Sequence, residues 1–367
     1  MTERLAKLQS AMRPAGIDVL AVVPGANMRY LAGLEIHSSE RVAVAFFPAN
    51  GTPAMVLPAL ETPRAQSQAR FPITFYPWDD ADGSAGTLSR CVADLGLAGQ
   101  RIGVEYTAMR VLELRAIEAA AQGAQVVDAT PMIAELRMVK DEQELAAMRR
   151  AVAVVEAALG AAVAQIRAGM TERELATIWE REMRARGGEP SFSTIIASGP
   201  NAANPHHSNS DRAFQPGDFI IMDGGVWNDG YASDITRTIA LGQPSEQART
   251  IYELVQAANA AGRLYVRPEA TGEEIDQAAR KVIVDGGFGQ YFIHRTGHGL
   301  GLEIHEPPYI VAGSLEPLAP GTTFSIEPGV YVEGVCGVRI EDDVVITAEG
   351  AESLTSFERN LIIVNLE

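Results

Sequence analysis

Asp223 and Asp234 close the two ends of the stretch Asp223-Gly-Gly-Val-Trp-Asn-Asp-Gly-Tyr-Ala-Ser-Asp234. The apolar run Phe219-Ile-Ile-Met222 precedes it and the β-branched run Ile235-Thr-Arg-Thr-Ile-Ala-Leu241 follows it. Asn228-Asp229-Gly230 is a tight-turn signal, so the whole segment predicts a β-hairpin. A two-residue turn at Asp229-Gly230 pairs Asn228 with Tyr231 and Gly225 with Asp234, which sets the two aspartates diagonally on one face. A turn at Asn228-Asp229 sets them directly opposite. In either register two carboxylates converge, and their repulsion calls for a compensating cation.

The other residues able to meet that cation lie downstream. Of six histidines, His37 stands alone before Ser38-Ser-Glu-Arg41, as a loop residue. His206 and His207 end Asn201-Ala-Ala-Asn-Pro-His-His207, and His294, His298 and His305 share His294-Arg-Thr-Gly-His-Gly-Leu-Gly-Leu-Glu-Ile-His305. Glycines at 297, 299 and 301 allow close backbone approach around His298. No lysine follows them and no helix pattern opens there, which argues against a phosphate loop. Glu327 interrupts Thr322-Thr-Phe-Ser-Ile-Glu-Pro-Gly329, and Glu341 sits in Gly337-Val-Arg-Ile-Glu-Asp-Asp-Val-Val-Ile346, read as one strand in which Arg339 shares its face. Glu341 could therefore simply pair with Arg339. Two Asp, two Glu and one His, each inside an apolar β segment, form an oxygen-rich set with one nitrogen. Such a set suits a pair of Mn²⁺, Co²⁺, Zn²⁺ or Fe²⁺ ions better than a structural zinc, as in the two-metal clamp of hydrolases.

The elements that must position these groups fall into two regions. A length of 367 residues suggests two domains or one large one. Up to Asp128, predicted strands (17–23, 42–47, 54–57, 73–76, 101–105, 125–128) alternate with helices (3–15, 59–70, 88–95, 109–121), an α/β pattern. Pro48-Ala-Asn-Gly51 marks a hairpin between two of the strands. From Thr130 the pattern changes. Helices are expected over 132–137 and 141–166, then from Thr171-Glu-Arg-Glu174 to Gly187-Gly188, over 245–266, and from Thr271-Gly-Glu-Glu274 to Asp285; both Thr-x-x-Glu runs are capping signals. Helix pairs followed by β ribbons occur twice in 141–346, a weak internal symmetry. The expected domains are 1–130 and 131–367, with the junction near 125–140.

Net charge is −17, from 30 Lys+Arg against 47 Asp+Glu, which argues against nucleic acid and is compatible with cationic ligands. Two distant cysteines, Cys91 and Cys336, form neither a CxxC pattern nor a disulfide framework. The charged N-terminus reads as a helix, no run is long enough for a membrane span, and the cytoplasm is the expected location.

The motifs of almost the whole chain resemble the two-metal Xaa-Pro peptidases: prolidases (Xaa-Pro dipeptidases) and aminopeptidase P, relatives of methionine aminopeptidase. The resemblance implies a creatinase-type N-terminal α/β domain, with Asn27-Met-Arg-Tyr-Leu-Ala-Gly33 as its signature, and a pita-bread α+β catalytic domain. It implies Asp223, Asp234, His298, Glu327 and Glu341 as metal ligands, with Asp234 and Glu341 bridging, Asp223 on one ion, and His298 and Glu327 on the other. His206, not His207, matches the family's substrate-contacting histidine. His305 would donate to the carbonyl oxygen, His294 matches a supporting histidine, and Arg339 the arginine beside the bridging glutamate. The implied reaction is hydrolysis of the bond preceding proline by a hydroxide held between two divalent metals, manganese first and cobalt, zinc or iron as alternatives. Glu327 would shuttle the proton. A homodimer acting on Xaa-Pro peptides is implied as well.

One departure stands out. Prolidases of this length carry an arginine soon after the His305 motif to bind the dipeptide's carboxylate, and Tyr309 occupies that position here. Either the enzyme is an aminopeptidase on longer peptides, or another cation substitutes, Arg41 of a partner subunit being one candidate. A metal-free creatinase-like C–N hydrolase and a non-enzymatic binding module are the rival readings; both usually lack the complete ligand set.

Overall fold

The computed structural model describes residues 3–366 and divides into two compact units, Met1–Arg137 and Met138–Glu367. The first unit is built on a six-stranded sheet of β1 (Val19–Val22), β2 (Val44–Pro48), β3 (Ala54–Pro58), β4 (Thr74–Trp78), β5 (Arg101–Val104) and β6 (Gln125–Asp128), in the order β4-β3-β2-β1-β5-β6. The β2–β3 hairpin is antiparallel, with Val44 opposite Val56, while β3–β4, β1–β5 and β5–β6 are parallel. Period-two alternation sends Val19, Ala21, Val44, Phe46, Val56, Ile102 and Val104 to one face. There they pack with Leu88, Val92 and Ile117 from α4 (Ala85–Asp94) and α5 (Val111–Ala120).

The second unit consists of two similar halves. Each has a long helix, a 14-residue helix and a sheet: α7 (Glu142–Val163) with α8 (Glu172–Ala185), and α9 (Glu246–Tyr265) with α10 (Gly272–Asp285). Thr171 and Thr271 cap the two shorter helices through full capping boxes with Glu174 and Glu274. The connection before each cap is the same. Gly169 and Glu269 take positive φ (79° and 66°), and their amides donate to Phe214 and Leu318 carbonyls at 3.0 Å. Thr171 and Thr271 then form isolated bridges to Ala213 and Pro317. The symmetry barely visible in sequence is thus a property of the backbone, and Glu269 accepts a left-handed conformation that glycine supplies in the other half.

Two sheets carry the centre of this unit. One has β8 (Ile195–Ser198), β9 (Phe219–Gly224), β12 (Ile235–Leu241) and β20 (Ile363–Val364), ordered β20-β12-β9-β8. The other has β13 (Gly297–Gly299), β14 (Glu306–Ile310), β15 (Thr323–Ile326), β18 (Asp342–Ile346) and β19 (Ala351–Ser353), ordered β14-β13-β15-β18-β19. Helix α7 ends at Val163, short of the expected Ile166. The single strand expected over 337–346 is two, β17 (Cys336–Arg339) and β18, in different sheets. No helix among the described residues is long and apolar enough to cross a membrane.

Candidate active site

The hairpin forms with the Asp229-Gly230 turn. Asp229 and Gly230 both take positive φ (47° and 79°), and Asn228 pairs with Tyr231 and Trp227 with Ala232. The same register continues into β9 and β12, where Gly224 faces Ile235 and Asp223 faces Thr236. The ribbon changes sheets midway, however. Its tip, β10 (Val226–Asn228) and β11 (Tyr231–Ala232), joins a small sheet with β7 (Glu189–Pro190), and Asp234 lies at the crossing. A Cβ at Gly225 would sit 1.9 Å from the Ser233 carbonyl oxygen, so the crossing requires glycine there.

The same device places the other carboxylates. Glu327 follows β15 and precedes β16 (Gly329–Val332), and Glu341 lies between β17 and β18. Neither is inside a strand. Each occupies a point where the chain leaves one sheet for another, so its side chain points into the space between them. His298 lies on β13, where the pairing to β14 slips between His298 and Gly299. A Cβ at the preceding Gly297 would meet the Ser325 carbonyl at 1.8 Å, so only glycine lets β13 approach β15 this closely.

All five carboxylate and histidine candidates line one cavity of about 510 Å³, together with His206, His294, His305 and Arg339. Ligand atoms of Asp234, His298 and Glu341 lie within 4.8 Å of one another. His298 Nε2 is 3.4 Å from Glu327 Oε1 and 3.8 Å from Asp234 Oδ2. Its Nδ1 is 3.1 Å from the Gly299 carbonyl, and a proton held there leaves the Nε2 lone pair facing the carboxylates. Arg339 does not pair with Glu341. It donates to Asp223 Oδ2 (2.6 Å), the Tyr331 hydroxyl (2.8 Å) and Thr236 Oγ1 (3.2 Å), and Thr236 in turn donates to Glu341 Oε2 (2.6 Å).

The charges in this cavity are unbalanced. Burial, reinforced by Glu341 and Asp223, pushes the Asp234 carboxyl well above its usual range. Burial with Glu327 and Asp223 does the same to Glu341. Burial raises Glu327 to about 7, although Arg339 opposes it. Asp234 Oδ1 and Glu341 Oε1 are buried with no hydrogen-bond partner. Orphaned carboxylate oxygens beside a histidine lone pair, in a cluster short of positive charge, are a donor set that divalent cations satisfy.

These shifts have a measurable consequence. Asp234, Glu341 and Glu327 bind protons more tightly when folded than unfolded, so each removes stability as pH rises from the unfolded range near 4 through the folded value, about 7 for Glu327. His298 and His294, held down by burial at about 3 and 4, act oppositely and are fully neutral in both states well above 6.5. Below that pH the two effects offset each other; above it the histidine contribution, to which His305 adds, dies away over about one pH unit and the carboxylates dominate. Chelated protein is expected to lose on the order of 1–3 kcal/mol between pH 6.5 and 8 by chemical denaturation. Saturating Mn²⁺ should remove the loss. A metal-free protein that gains stability over this interval would show that the carboxylate cluster is not strained.

The histidines divide. His206 lines the cavity, whereas His207 Nε2 is 2.7 Å from Glu172 Oε2, away from it. Glu172 is fully buried, and burial would raise it, but hydrogen bonds from Ser210, Asn201, His207 and Ser198 hold it down at about 2. It clasps the loop that carries His206. His305 packs edge-on against His298 with ring centroids 4.2 Å apart. His294 Nε2 is 2.9 Å from the Tyr331 hydroxyl.

One substrate-binding expectation needs correction. Tyr309 is not on the cavity wall: strand alternation in β14 buries Glu306, Pro308 and Ile310 and leaves Tyr309 41% exposed. Its ring instead stacks under the Arg295 guanidinium, 4.6 Å away, and Arg295 does line the cavity. Arg41 forms a two-pronged pair with Asp80 (2.9 and 2.7 Å) and contacts Glu40, all within its own unit. Residues that sequence reasoning passed over are Thr236, Tyr331, Arg295, Glu172 and Asp343, whose Oδ2 accepts from the Asp234 amide at 3.0 Å. Only Asp343 had a visible signal, the acidic run 341–343.

Residues 146–348 match metallopeptidase family M24, and residues 4–139 match the creatinase/prolidase N-terminal domain. The chain is 38% identical over 364 residues to the probable dipeptidase PepE of Mycobacterium tuberculosis, covering 98% of this chain and 96% of that one. It is 34% identical to an Xaa-Pro dipeptidase of Lactobacillus delbrueckii subsp. lactis, with 97% and 98% covered. Among solved structures it resembles a dipeptidase from Pyrococcus horikoshii OT3, with a TM-score of 0.93, 40% identity, and 98% and 100% covered.

Proposed function

Because this chain belongs to metallopeptidase family M24 and carries the creatinase/prolidase N-terminal domain before its catalytic unit, we propose that it hydrolyses the peptide bond preceding proline in Xaa-Pro dipeptides. The observation that carries this reading is the convergence of Asp223, Asp234, His298, Glu327 and Glu341 on one cavity, with buried carboxylate oxygens left unsatisfied. Those five residues would hold two divalent cations, the four carboxylates supplying anionic oxygens and His298 the one nitrogen. Manganese is the metal we favour, because four of the five donors are carboxylates. When bound, the pair supplies Lewis-acid polarisation of the scissile carbonyl and a nucleophile at neutral pH.

The protein's own groups do the rest. An Xaa-Pro amide has no N–H on its leaving nitrogen, so the site needs no acceptor there but does need an apolar surface for the ring. Phe192, Ile195, Pro205 and Ile304 line the cavity and offer one. His206 and His305, also on its wall, would donate to the carbonyl oxygen as negative charge develops on it. Glu327, on the cavity wall with Oε1 3.4 Å from His298 Nε2, would accept a proton and return it to the proline nitrogen. Arg339 and Tyr331 brace this wall from behind through Asp223 and His294.

Purified protein should cleave Ala-Pro and leave Ala-Ala essentially untouched. Chelation should abolish turnover, and added Mn²⁺ should restore it with about two equivalents bound. Equal cleavage of Ala-Ala, or full activity in chelator, would refute the reading.

A further inference from the structure

Among the described residues, no hydrogen bond holds the His305 ring; it rests edge-on against His298, with centroids 4.2 Å apart. Two neighbours are better secured. His294 has both ring nitrogens engaged, by the Arg295 carbonyl at 2.7 Å and the Tyr331 hydroxyl at 2.9 Å, and His298 Nδ1 is 3.1 Å from the Gly299 carbonyl. The direction of His305 must therefore come from the backbone that carries it.

That backbone is a turn. β13 ends at Gly299, β14 opens at Glu306, and these two residues pair across it. Its first half is pinned by Thr323 Oγ1, which donates to the Leu300 carbonyl at 2.9 Å, and by the Ala232 amide, which donates to the Gly301 carbonyl at 2.8 Å. Its second half carries His305, and there a buried ion pair enters that catalysis has not so far used. Lys140 Nζ donates to Glu306 Oε1 at 2.7 Å, with the two side chains 1% and 4% exposed. Glu306 Oε2 reaches back to accept from the Glu303 amide at 3.3 Å, so one carboxylate ties the lysine to the inside of the turn. Lys140 is anchored in turn: its amide donates to the Gly321 carbonyl at 2.9 Å, beside the bridge from Val139 to Thr322. A Cβ at Gly301 would stand 2.8 Å from Lys140 Cε and 2.9 Å from Glu306 Oε1, so the turn closes directly onto the pair. Two buried charges are a poor way to gain stability, because an apolar pair of similar volume avoids their desolvation. What they add here is a fixed length and direction between the Lys140 backbone and the turn.

We propose that Lys140 and Glu306 are positioning residues, whose ion pair sets the 300–305 turn so that His305 meets the oxygen of the scissile carbonyl. The proposal rests on the Xaa-Pro reading above and on the donor role of His305 within it. Neither residue touches substrate, so their effect should pass through His305 alone and appear in kcat rather than in KM.

The test replaces both charges at once, Lys140→Met with Glu306→Leu, which removes the pair without stranding either partner. Loaded with Mn²⁺, this double variant should bind about two equivalents and melt at or above the wild-type temperature. Its kcat on Ala-Pro should nevertheless fall roughly 10- to 100-fold, part of the loss expected for one missing oxyanion donor, while KM stays within a few-fold. In a His305→Ala background the same replacement should cost no more than about 2-fold in kcat, because groups that act as a unit are not additive. Glu306→Gln keeps the volume, and its single carbonyl oxygen can serve Lys140 or the Glu303 amide but not both; with the fold less at risk, its kcat should fall between. Amide hydrogen exchange gives a readout without substrate: protection over 299–306 should drop in the double variant and stay unchanged in the helices of the catalytic unit. Wild-type kcat in the double variant, an undiminished further loss in the His305→Ala background, or unchanged exchange over 299–306 would overturn the proposal. So would loss of metal or of the fold together with kcat, which would make the pair structural. If wild type fails to cleave Ala-Pro, the Xaa-Pro reading falls by itself, and the exchange result still decides whether the pair holds the turn.

Discussion

Asp234→Asn should lose both metal ions and at least about 10³-fold in kcat/KM, whereas Asp223→Asn should release mainly one. The two aspartates begin alike in the sequence and end in different surroundings. Asp234 is central: its ligand oxygen lies within 4.8 Å of donor atoms of both His298 and Glu341, and its Oδ1 has no partner. Asp223 stands to one side with Oδ2 already taken by Arg339. The metal-free proteins should therefore change in opposite directions. Asp234→Asn removes one charge from a repelling cluster, so chelated protein should melt at the same temperature as wild type or higher. Asp223→Asn breaks a buried charge pair and leaves Arg339 under-compensated, at a cost of about 3–5 kcal/mol. Elemental analysis of the dialysed variants, with melting curves in chelator, separates the two. Equal loss of both metals in each variant would contradict this division of roles.

Much of this contrast was legible from residue types and spacing. Asn228-Asp229-Gly230 marked the hairpin but left two registers open; positive φ at both Asp229 and Gly230, which suits the twist of the flanking strands, selects the Asp229-Gly230 turn. The Thr-x-x-Glu runs marked two helix starts because the side chains satisfy orphaned amides locally. The five candidate ligands stood out because each is a charge in an apolar context, and they do line one cavity. His206 and His207 were separable only through the family resemblance; the structure supplies the physical difference, since Glu172 holds His207 away from the cavity.

What stayed hidden depends on contacts distant in sequence. Alternation within 337–346 suggested one strand with Arg339 and Glu341 on a shared face, but periodicity carries no mark of where a chain changes sheets. The change occurs at Ile340-Glu341, so Arg339 turns to Asp223 and Glu341 to Thr236. Arg295 went unremarked between two histidines because nothing local indicates that Tyr309 folds back beneath it. Asp342 and Asp343 look alike in sequence and are opposites in the fold. Burial would raise Asp342, yet Arg237, Arg359 and Arg263 hold it down at about 2; Asp343, also buried, has the Asp234 amide as its main compensation and is raised.

Glu327→Gln should lower kcat by roughly 10²- to 10⁴-fold, the range for losing a positioned proton-transfer group. The substitution keeps the side chain's volume and one carbonyl oxygen toward His298 Nε2, from which Glu327 Oε1 is now 3.4 Å away. It removes the negative charge and, with it, the ability to take up a proton. Because Glu327 is also a candidate ligand, a lower metal affinity is expected too, so turnover must be read at saturating Mn²⁺ with the bound metal counted. The value of about 7 that burial gives Glu327 belongs to the metal-free cluster, and a bound cation would favour its carboxylate form, so its suitability for proton transfer rests on its place on the cavity wall. Glu327→Asp provides the complementary check: it retains a carboxyl but withdraws it by about one methylene length, and should keep more metal than turnover, because proton transfer depends steeply on reach. Near-normal kcat in Glu327→Gln with two metals bound would remove Glu327 from proton transfer and leave it a ligand alone.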